Sequence, residues 1–491
     1  MTDSARPRIG ARVCRHQWIW PLIVLASLGA ADVNAPLADA AKSRDIATVS
    51  RLLKQPVDVN VPQSDGTTAL HWAVRWNLLE VIDPLIRAGA NVNATNRYNI
   101  TPLALACTNG SALVVAKLLQ AGADPNASPN GESPLMVAAR TGDLETVKVL
   151  LAHGAATNAV ESERGQTALM WAAAEAHPAV VKLLIEQGAD VQARAKGGFT
   201  PVLFGVRKGD KESVAALINA GASPNEKAAD GSPLSFVAIL NAHYELAAVL
   251  LDHGADPDAT DKTGRTALHA LIAARNNAGS QFLPPPGQTG NLDTAGLISA
   301  LLSHGANPNA RTRKIDVPVT RNVADAPARN AVAPPIDTRL NLEGATAFLL
   351  AAQNIDVAAM RILVAGGADP RLPTYENSTP LMVAAGLGSK ERQGGPTPAA
   401  VLEAVRLTVE LGGDVNAANA HGQTALHSAV YRGVDEVIQF LVAHGAKLDA
   451  KDSRGRTPVD LAEGFPDGQT TVRHESAAAL LRKLAASRVD K

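Results

Sequence analysis

The sequence predicts an all-α repeat solenoid, in which short helices stack side by side along the chain. A Thr or Ser, then Pro or Ala, then an apolar run opens eleven segments, and most openings are 32 to 34 residues apart. A fixed period of this size is typical of stacked supersecondary units. We therefore expect about eleven units with a cap at each end. The openings are Thr68, Thr101, Ser133, Thr167, Thr200, Ser232, Thr266, Thr346, Thr379, Thr424 and Thr457.

The segment that opens at Thr68 shows the order of elements within one unit. Thr68 is predicted to cap a short first helix, because its side-chain oxygen can accept a hydrogen bond from a free N–H of the first turn. Six of the eleven openings are followed by Pro, which suits the first helical position because its missing N–H has no helical partner there. Apolar spacing predicts a second helix from Leu79 to Ala88.

Gly89 is predicted to end that second helix, since glycine favours the left-handed conformation found just after a helix. Neither short helix is stable alone in water, so each unit must bury its apolar faces against its neighbours. The same closing glycine recurs at Gly122, Gly154, Gly188, Gly221, Gly254, Gly305, Gly367, Gly412 and Gly445.

The recurring phrases Thr-Ala-Leu-His, Thr-Pro-Leu and Gly-Ala-Asp-Pro-Asn resemble the ankyrin repeat over roughly residues 37–485. The tetratricopeptide repeat has a similar period but lacks both this opening and this close. The resemblance implies two antiparallel helices and a β-hairpin-like loop in each unit. It also implies a curved stack that binds another protein on its concave side, through the hairpin tips and the exposed ends of the first helices.

The N-terminal 31 residues do not belong to the array and are predicted to be a signal peptide. Four arginines precede an apolar run from Trp18 to Ala31, with small residues before Asp32, which is the pattern of a cleaved export signal. The apolar run is shorter than a membrane span requires, and an uncleaved anchor is the alternative. We expect an exported protein, periplasmic or secreted. Arginine outnumbers lysine 30 to 16, which favours a bacterial source.

The array divides into residues 32–310 and 341–491, separated by a Pro-rich insertion at 311–340 that is a candidate hinge. Residues 37–60 are predicted to form the N-terminal cap and a helix from His474 to Ala486 the C-terminal cap. The period is broken at 276–340 and at 386–398. These insertions are either binding loops, which usually emerge on one face of an array, or surface loops that cost little to lengthen.

Composition excludes several classes of function. The formal net charge is −1 and aromatic residues make up 3% of the chain, which argues against a nucleic-acid surface because such surfaces concentrate excess Lys and Arg. Beyond residue 31 the chain has one cysteine, Cys107. One thiol cannot form an internal disulfide, so packing alone must stabilise the array, and Cys107 is predicted to be a small buried hydrophobe.

Known catalytic and metal-binding motifs are absent from the sequence, so we expect no enzymatic activity, no cofactor and no metal. His71, His269 and His427 occupy the fourth position of Thr-Ala-Leu-His, where the resemblance implies a structural hydrogen bond near the turn. Four further histidines precede closing glycines and suit helix C-termini. The Asp and Asn of Gly-Ala-Asp-Pro-Asn lack the dense oxygen ligands of a calcium loop and are interpreted as turn formers.

Partner-binding residues are predicted where the resemblance places exposed first-helix ends and hairpin tips. Trp, Tyr and Arg are the residues most enriched among interface hot spots, and several lie at those positions; the alternative is that these side chains are solvated or cover helix ends. Trp72 and Trp171 lie earlier in their helices and are predicted to be core residues. The candidates are Arg75, Trp76, Tyr98, Arg140, Arg207, Lys208, Tyr431 and Arg432.

Three functions follow from this pattern. The leading hypothesis is a monomeric, non-enzymatic scaffold that binds another protein on the concave face, with no nucleic acid and no membrane span after signal cleavage. A second is an enzyme or small-ligand protein with its site in the 276–340 and 386–398 insertions. A third is a secreted effector that binds a host protein. One repeat scaffold carries many unrelated partners, so the sequence does not identify the partner.

Overall fold

The computed structural model of this protein describes residues 35–276, 290–313, 340–388, 396–464 and 474–489. These residues contain 24 helices, which follow one another as twelve consecutive pairs. The predicted signal peptide and most of both insertions lie outside the described residues.

Each pair consists of a first helix and a second helix. The first helices are α1 Pro36–Lys42, α3 Ala69–Arg75, α5 Pro102–Thr108, α7 Pro134–Thr141, α9 Ala168–Glu175, α11 Pro201–Lys208, α13 Leu234–Leu240, α15 Ala267–Asn276, α17 Ala347–Gln353, α19 Pro380–Ala385, α21 Ala425–Arg432 and α23 Pro458–Glu463. The second helices are α2 Ile46–Leu52, α4 Leu79–Arg87, α6 Ala112–Gln120, α8 Leu144–Ala152, α10 Pro178–Glu186, α12 Lys211–Asn219, α14 Tyr244–Asp252, α16 Thr294–Ser303, α18 Val357–Ala365, α20 Pro398–Glu410, α22 Asp435–Ala443 and α24 Glu475–Val489.

The first helices begin at the predicted caps, with one exception. The Thr101 side chain accepts a hydrogen bond from the Ala104 N–H at 3.1 Å, as expected of an N-cap. The predicted cap at Ser232 is wrong, because α13 keeps the 33-residue register of Thr200 and so has Pro233 as its N-cap residue. The Ser-Pro phrase falls one residue early there, and α13 has no side-chain cap.

The closing glycines end the second helices as predicted. Gly89 follows α4 with φ +88°, and Gly122 follows α6 with φ +89°. Both lie in the left-handed region, which costs an L-residue with a side chain roughly 1–2 kcal/mol. The predicted helix ends are therefore confirmed at these positions.

The helices form two layers that run the length of the array. Each first helix packs against the first helices before and after it, from α1 to α23, and the second helices pack in the same way from α2 to α24. Ala73 and Ala106 are fully buried between neighbouring first helices, where a small side chain allows close approach. The core is thus continuous, and each pair depends on its neighbours for burial.

The loops between pairs are linked by short backbone contacts rather than by strands. Within the described residues the hairpins contain two isolated β-bridges, Val160 with Thr167 and Lys227 with Pro233. Successive hairpin tips also bond to each other, as in the 2.8 Å hydrogen bond from the Lys196 N–H to the Arg164 carbonyl oxygen. The β-hairpin-like loop that the resemblance implies therefore joins neighbouring units.

The stack continues across the Pro-rich insertion. α15 packs against α17 and α16 against α18, so the pairs on both sides of residues 314–339 touch in both layers. The Arg275 guanidinium forms an ion pair with Asp356 at 2.5 Å, and the Thr312 N–H donates to the Ala345 carbonyl oxygen at 3.1 Å. Residues 314–339 therefore interrupt a hairpin between two stacked pairs.

The two ends of the array are helix pairs like the rest. α1 and α2 bury Leu37, Ala41 and Val49, as predicted for an N-terminal cap. The predicted C-terminal cap helix is α24, which buries Ala478 and Leu481. It packs against α23 and α22 and is therefore the second helix of the twelfth pair.

Candidate functional site

The candidate residues share one region, which we call the helix-end surface. It consists of the seventh and eighth residues after the N-cap of each first helix, together with the adjoining hairpin tips. The first helices have only six to ten residues. The seventh and eighth positions therefore lie at or near their C-terminal ends, after most of the buried side chains of the helix. Several of these side chains, Arg75, Arg207, Lys208 and Tyr431 among them, are exposed.

Arg75 and Trp76 form the N-terminal part of this surface. Arg75 is exposed and its guanidinium carbon lies 5.5 Å from the centre of the Trp76 ring. Trp76 is partly buried and stacks on Trp72, with ring centres 6.1 Å apart and planes 17° apart. The Trp76 indole nitrogen is buried and has no hydrogen-bond partner among the described residues. The sequence candidates are thus part of a larger aromatic cluster.

Arg140 and Arg207 occupy the same register as Arg75, seven residues after their N-cap residues. The Arg140 guanidinium carbon lies 4.9 Å from the centre of the Trp171 ring and also pairs with Glu132 at 3.2 Å. The Arg207 guanidinium carbon lies 5.3 Å from the centre of the Phe199 ring. Distances below about 6 Å are attractive cation–π contacts, so the rings hold both arginines in place.

Lys208 and Tyr98 are also exposed, but each has a local partner. Lys208 pairs with Glu175 of the preceding unit at 3.4 Å, and both side chains are about two-fifths exposed, which makes the pair weak. Tyr98 lies at a hairpin tip, is 57% exposed and accepts a hydrogen bond from Arg97 at 2.9 Å. The Arg97 guanidinium carbon also lies 5.1 Å from the centre of the Tyr98 ring and covers one face of it.

Tyr431 and Arg432 lie at the end of α21, five first helices beyond α11. Tyr431 is 38% exposed and borders a small cleft. Arg432 is half-buried, its guanidinium donates to the Ala384 carbonyl oxygen at 3.5 Å, and burial lowers its pKa. Arg432 is directed into the preceding unit, so Tyr431 is the more accessible of the two. The cleft is lined by Leu387, Gly388, Gln423, His427, Ser428, Tyr431 and Leu461.

The structure brings the candidates together in two groups. The first group lies on or just after the alternate first helices α3, α7 and α11 of the N-terminal half, and consists of Arg75, Trp76, Arg140, Arg207 and Lys208. Tyr431 and Arg432 lie far along the stack. Tyr98 belongs to the first group, at the tip between α4 and α5.

Sequence reasoning missed several members of the first group. Trp72 and Trp171, predicted to be core residues, pack against the core but are only partly buried, and cations of the helix-end surface lie over both rings. Arg44 lies 3.9 Å from the centre of the Trp76 ring and Lys42 lies 5.4 Å from that of Trp72. The four-residue spacing of Trp72 and Trp76 on one helix face was the available signal.

The histidines are structural, as predicted. The His71 ring bonds to the Thr68 hydroxyl at 2.8 Å and to the Ile100 carbonyl oxygen at 3.0 Å, and burial lowers the pKa of His71. Burial likewise lowers the pKa values of His269 and His427. The rings before the closing glycines cap helix C-termini, as His153 does with the Val149 carbonyl oxygen at 2.8 Å.

An Asn four residues after a closing glycine, as in the Gly-Ala-Asp-Pro-Asn phrase at 122–126, links two units. Asn93 donates to the Gly122 carbonyl oxygen at 2.9 Å and accepts from the Asp124 N–H at 2.9 Å. Asn126 and Asn225 make the same pair of bonds to the units that follow them. The side chains that invited a calcium interpretation are thus engaged in packing, and within the described ranges no cluster of three metal-ligating residues occurs.

No helix in the described part of the chain is long and apolar enough to span a membrane. The helix-end surface presents guanidinium groups, indole rings and a phenol. Guanidinium groups are suited to carboxylates, and Trp, Tyr and Arg are enriched among interface hot spots.

Comparison with known proteins gives matches along most of the array. A family model described as ankyrin repeats in three copies matches residues 37–129, 103–195 and 202–312, and a second, described as ankyrin repeats in many copies, matches 409–462. A putative ankyrin repeat protein, YahD of Escherichia coli, is 31% identical over 179 residues, which are 35% of this chain and 89% of YahD.

A further relative and a solved structure match over less than half of this chain. Palmitoyltransferase AKR1 of Lachancea kluyveri is 32% identical over 159 residues, or 31% of this chain and 21% of that enzyme. The crystal structure of the human ASB11 ankyrin repeat domain is 27% identical, with a TM-score of 0.42, and the match covers 45% of this chain and 99% of that one. The chain thus spans about a fifth of the palmitoyltransferase it matches.

Proposed function

This chain belongs to the ankyrin-repeat family, and from that premise we propose that it is an exported, non-enzymatic scaffold that binds a partner protein through the concave side of its array. Ankyrin repeats indicate a protein–protein interaction domain. The observation that carries the finer proposal is the helix-end surface, where Arg75, Arg140 and Arg207 project at the same register from alternate pairs. Folding of the repeats does not require arginine at this register, so the arrangement favours a role in binding.

The same surface favours binding over catalysis. Its charged groups are engaged with rings or carboxylates rather than with a nucleophile and a base. Elsewhere in the array, the His71 and His153 rings bond to backbone carbonyl oxygens. A standard interface buries about 800 Å² on each partner, which several adjoining first-helix ends can supply. The scaffold acts as a monomer in this proposal, because one array presents the whole surface.

Export rests on the N-terminal sequence alone, through the arginine-rich start and the apolar run that ends at Ala31. Cell fractionation and the intact mass of the recovered protein test it. A chain that begins at Asp32 in the periplasm or medium supports export and cleavage. A full-length chain in the membrane fraction supports the uncleaved anchor, and a full-length cytosolic chain overturns export.

Binding is tested by affinity capture from extracts of the source cells, with the full chain as bait. The test variant carries Arg75→Glu and Arg207→Glu, two exposed positions on the helix-end surface. The matched control carries Arg87→Glu and Lys447→Glu, which change the charge equally at exposed positions elsewhere. Circular dichroism verifies that both variants keep their helices.

We expect a stoichiometric partner that the wild type and the control retain and the test variant loses. Equal retention by all three proteins would move the binding surface away from the first-helix ends. Turnover of a substrate by the purified chain, abolished by neither variant, would overturn the non-enzymatic proposal.

A further inference from the structure

The most informative feature beyond the general binding surface is a set of three stacked contacts, which we call the arginine–aromatic row. It consists of Arg75 on Trp76, Arg140 on Trp171 and Arg207 on Phe199, with guanidinium-to-ring distances of 5.5, 4.9 and 5.3 Å. The three arginines lie on α3, α7 and α11, which are alternate first helices.

The row is strongest at its N-terminal end. There Lys42 and Arg44 join Arg75 around the stacked rings of Trp72 and Trp76. In the described part of the chain none of these three cations forms an ion pair. This end of the row therefore carries positive charge that no carboxylate among the described residues neutralises.

The middle and far end of the row differ in charge balance. Arg140 is paired with Glu132, whereas Arg207 has no carboxylate partner among the described residues. At the same register, the first helices between those of the row carry Thr108 and Ala174. Both side chains are short, so no large group at this register separates one arginine from the next.

The distance between the arginines of the row determines how many residues must separate the contacting side chains of an extended peptide bound along it. Packed helices lie about 8–10 Å apart, so arginines on alternate first helices are about 16–20 Å apart. An extended peptide advances about 3.3 Å per residue. Consecutive arginines of the row therefore match side chains about five or six residues apart on an extended segment.

The chemistry of the row selects carboxylates. A ring beneath a guanidinium group fixes its orientation and leaves N–H donors at its edge, the geometry that suits a carboxylate. Single-stranded nucleic acid instead needs open aromatic faces on which bases stack. Here cations already occupy faces of the Trp72, Trp76 and Trp171 rings, and Glu132 and Glu175 lie on the same surface.

We propose that the arginine–aromatic row binds an extended acidic segment of a partner protein, with carboxylates about five or six residues apart. The inference rests on the proposed scaffold function and adds the chemistry and spacing of the ligand. The N-terminal cluster around Trp72 and Trp76 is the anchor, since it combines two indole rings with three cations that form no ion pair within the described ranges. Arg207 sets the far end of the bound segment.

The test measures binding of defined peptides to the full chain by fluorescence anisotropy. The probe is a labelled peptide of about 17 residues with Glu at about every sixth position in a Gly-Ser-Thr background, a spacing chosen from the extended rise per residue. Two comparison peptides carry Gln at those positions or the same three Glu clustered together. Labelled oligothymidylate is the nucleic-acid probe.

We expect the spaced Glu peptide to bind at least about tenfold more tightly than the Gln and clustered peptides at low salt, and binding to weaken as salt rises. The Arg75→Glu, Arg207→Glu variant should lose this preference, whereas the Arg87→Glu, Lys447→Glu control should keep it. Arg75→Gln with Arg207→Gln provides a second test that introduces no like charge. Tryptophan emission from a Trp18→Phe, Trp20→Phe chain reports the cluster directly, because Trp72, Trp76 and Trp171 then remain.

Equal affinity for the Glu and Gln peptides would overturn the proposal, as would equal losses in test and control variants. Tighter binding of oligothymidylate than of the spaced Glu peptide would overturn the proposal and indicate a nucleic-acid-binding surface instead. The capture experiment separates this inference from the scaffold function. A partner lost with Arg75→Glu and Arg207→Glu, but without any preference for the spaced peptide, would leave the scaffold standing and reject the acidic segment.

Discussion

The His177 ring bonds to the Arg140 carbonyl oxygen of the preceding unit at 3.0 Å and lies against Gly142. A Cβ built on Gly142 would approach that ring to 2.4 Å, so only glycine admits the ring at this distance. The same contact recurs between His243 and Gly209 and between His474 and Gly433. These histidines cap first helices at the ends that carry the helix-end surface.

Gly142→Ala should destabilise the array more than Gly154→Ala. Both glycines have positive φ, +78° and +84°, so both substitutions cost roughly 1–2 kcal/mol of backbone strain. Gly154 has no atom within 4 Å of an added Cβ, whereas Gly142→Ala must also displace His177 and break its hydrogen bond. Loss of that hydrogen bond should lower the free energy of unfolding by about a further 1 kcal/mol.

The measurement is the urea midpoint of helical ellipticity, with hydrogen exchange of residues 134–141 as the local readout. His177→Ala alone and together with Gly142→Ala completes a double-mutant cycle. The extra loss at Gly142 should vanish in the double variant. Equal losses for Gly142→Ala and Gly154→Ala would show that the ring contact contributes nothing.

The sequence predicted the local structure better than the links between units. Thr101 and Gly122 mark helix ends through their own backbone preferences, which depend on few neighbours. The stacking of Arg140 on Trp171 depends on the distance and rotation between helices that the period does not specify. Position within the first helix therefore predicts Trp72 and Trp171 to be core residues, whereas both rings pack against the core only in part and have cations over them.

Acid should destabilise the array through its buried histidines. Burial lowers the pKa of His427 in the folded protein, while in the unfolded chain a histidine titrates near 6.5. Between the folded and unfolded pKa values the unfolded chain binds more protons, so stability rises with pH there. The contribution of His427 is fully present above about pH 6.5 and is lost as pH falls through its folded pKa.

The check is the urea midpoint from pH 7.5 down to about pH 5, a range that includes the unfolded histidine pKa. His427→Gln should flatten this dependence, although the variant is less stable at neutral pH because it loses the bonds to Thr424 and Arg456. His444→Gln removes an exposed ring and serves as the control. An unchanged pH slope in His427→Gln would refute this linkage.

Asn93→Ala should weaken the coupling between two neighbouring units. The variant loses the bonds from Asn93 to the Gly122 carbonyl oxygen and from the Asp124 N–H, which together should cost about 1–2 kcal/mol at this exposed position. Gln120→Ala is the control, because Gln120 is exposed near the same helix end. Differential urea curves with hydrogen exchange at residues 112–124 measure the effect, and equal midpoints for the two variants would contradict it.

Cys107 should be inert in the folded protein. It is fully buried on α5, and burial raises the pKa of its thiol, so the reactive thiolate is scarce. In a Cys14→Ser chain we expect no maleimide labelling of Cys107 under native conditions and complete labelling in urea. Cys107→Ala should be tolerated better than Cys107→Ser, because a hydroxyl buried without a partner costs about 1–3 kcal/mol. Rapid native labelling would instead mean that α5 opens locally, since the thiol has no other route to solvent.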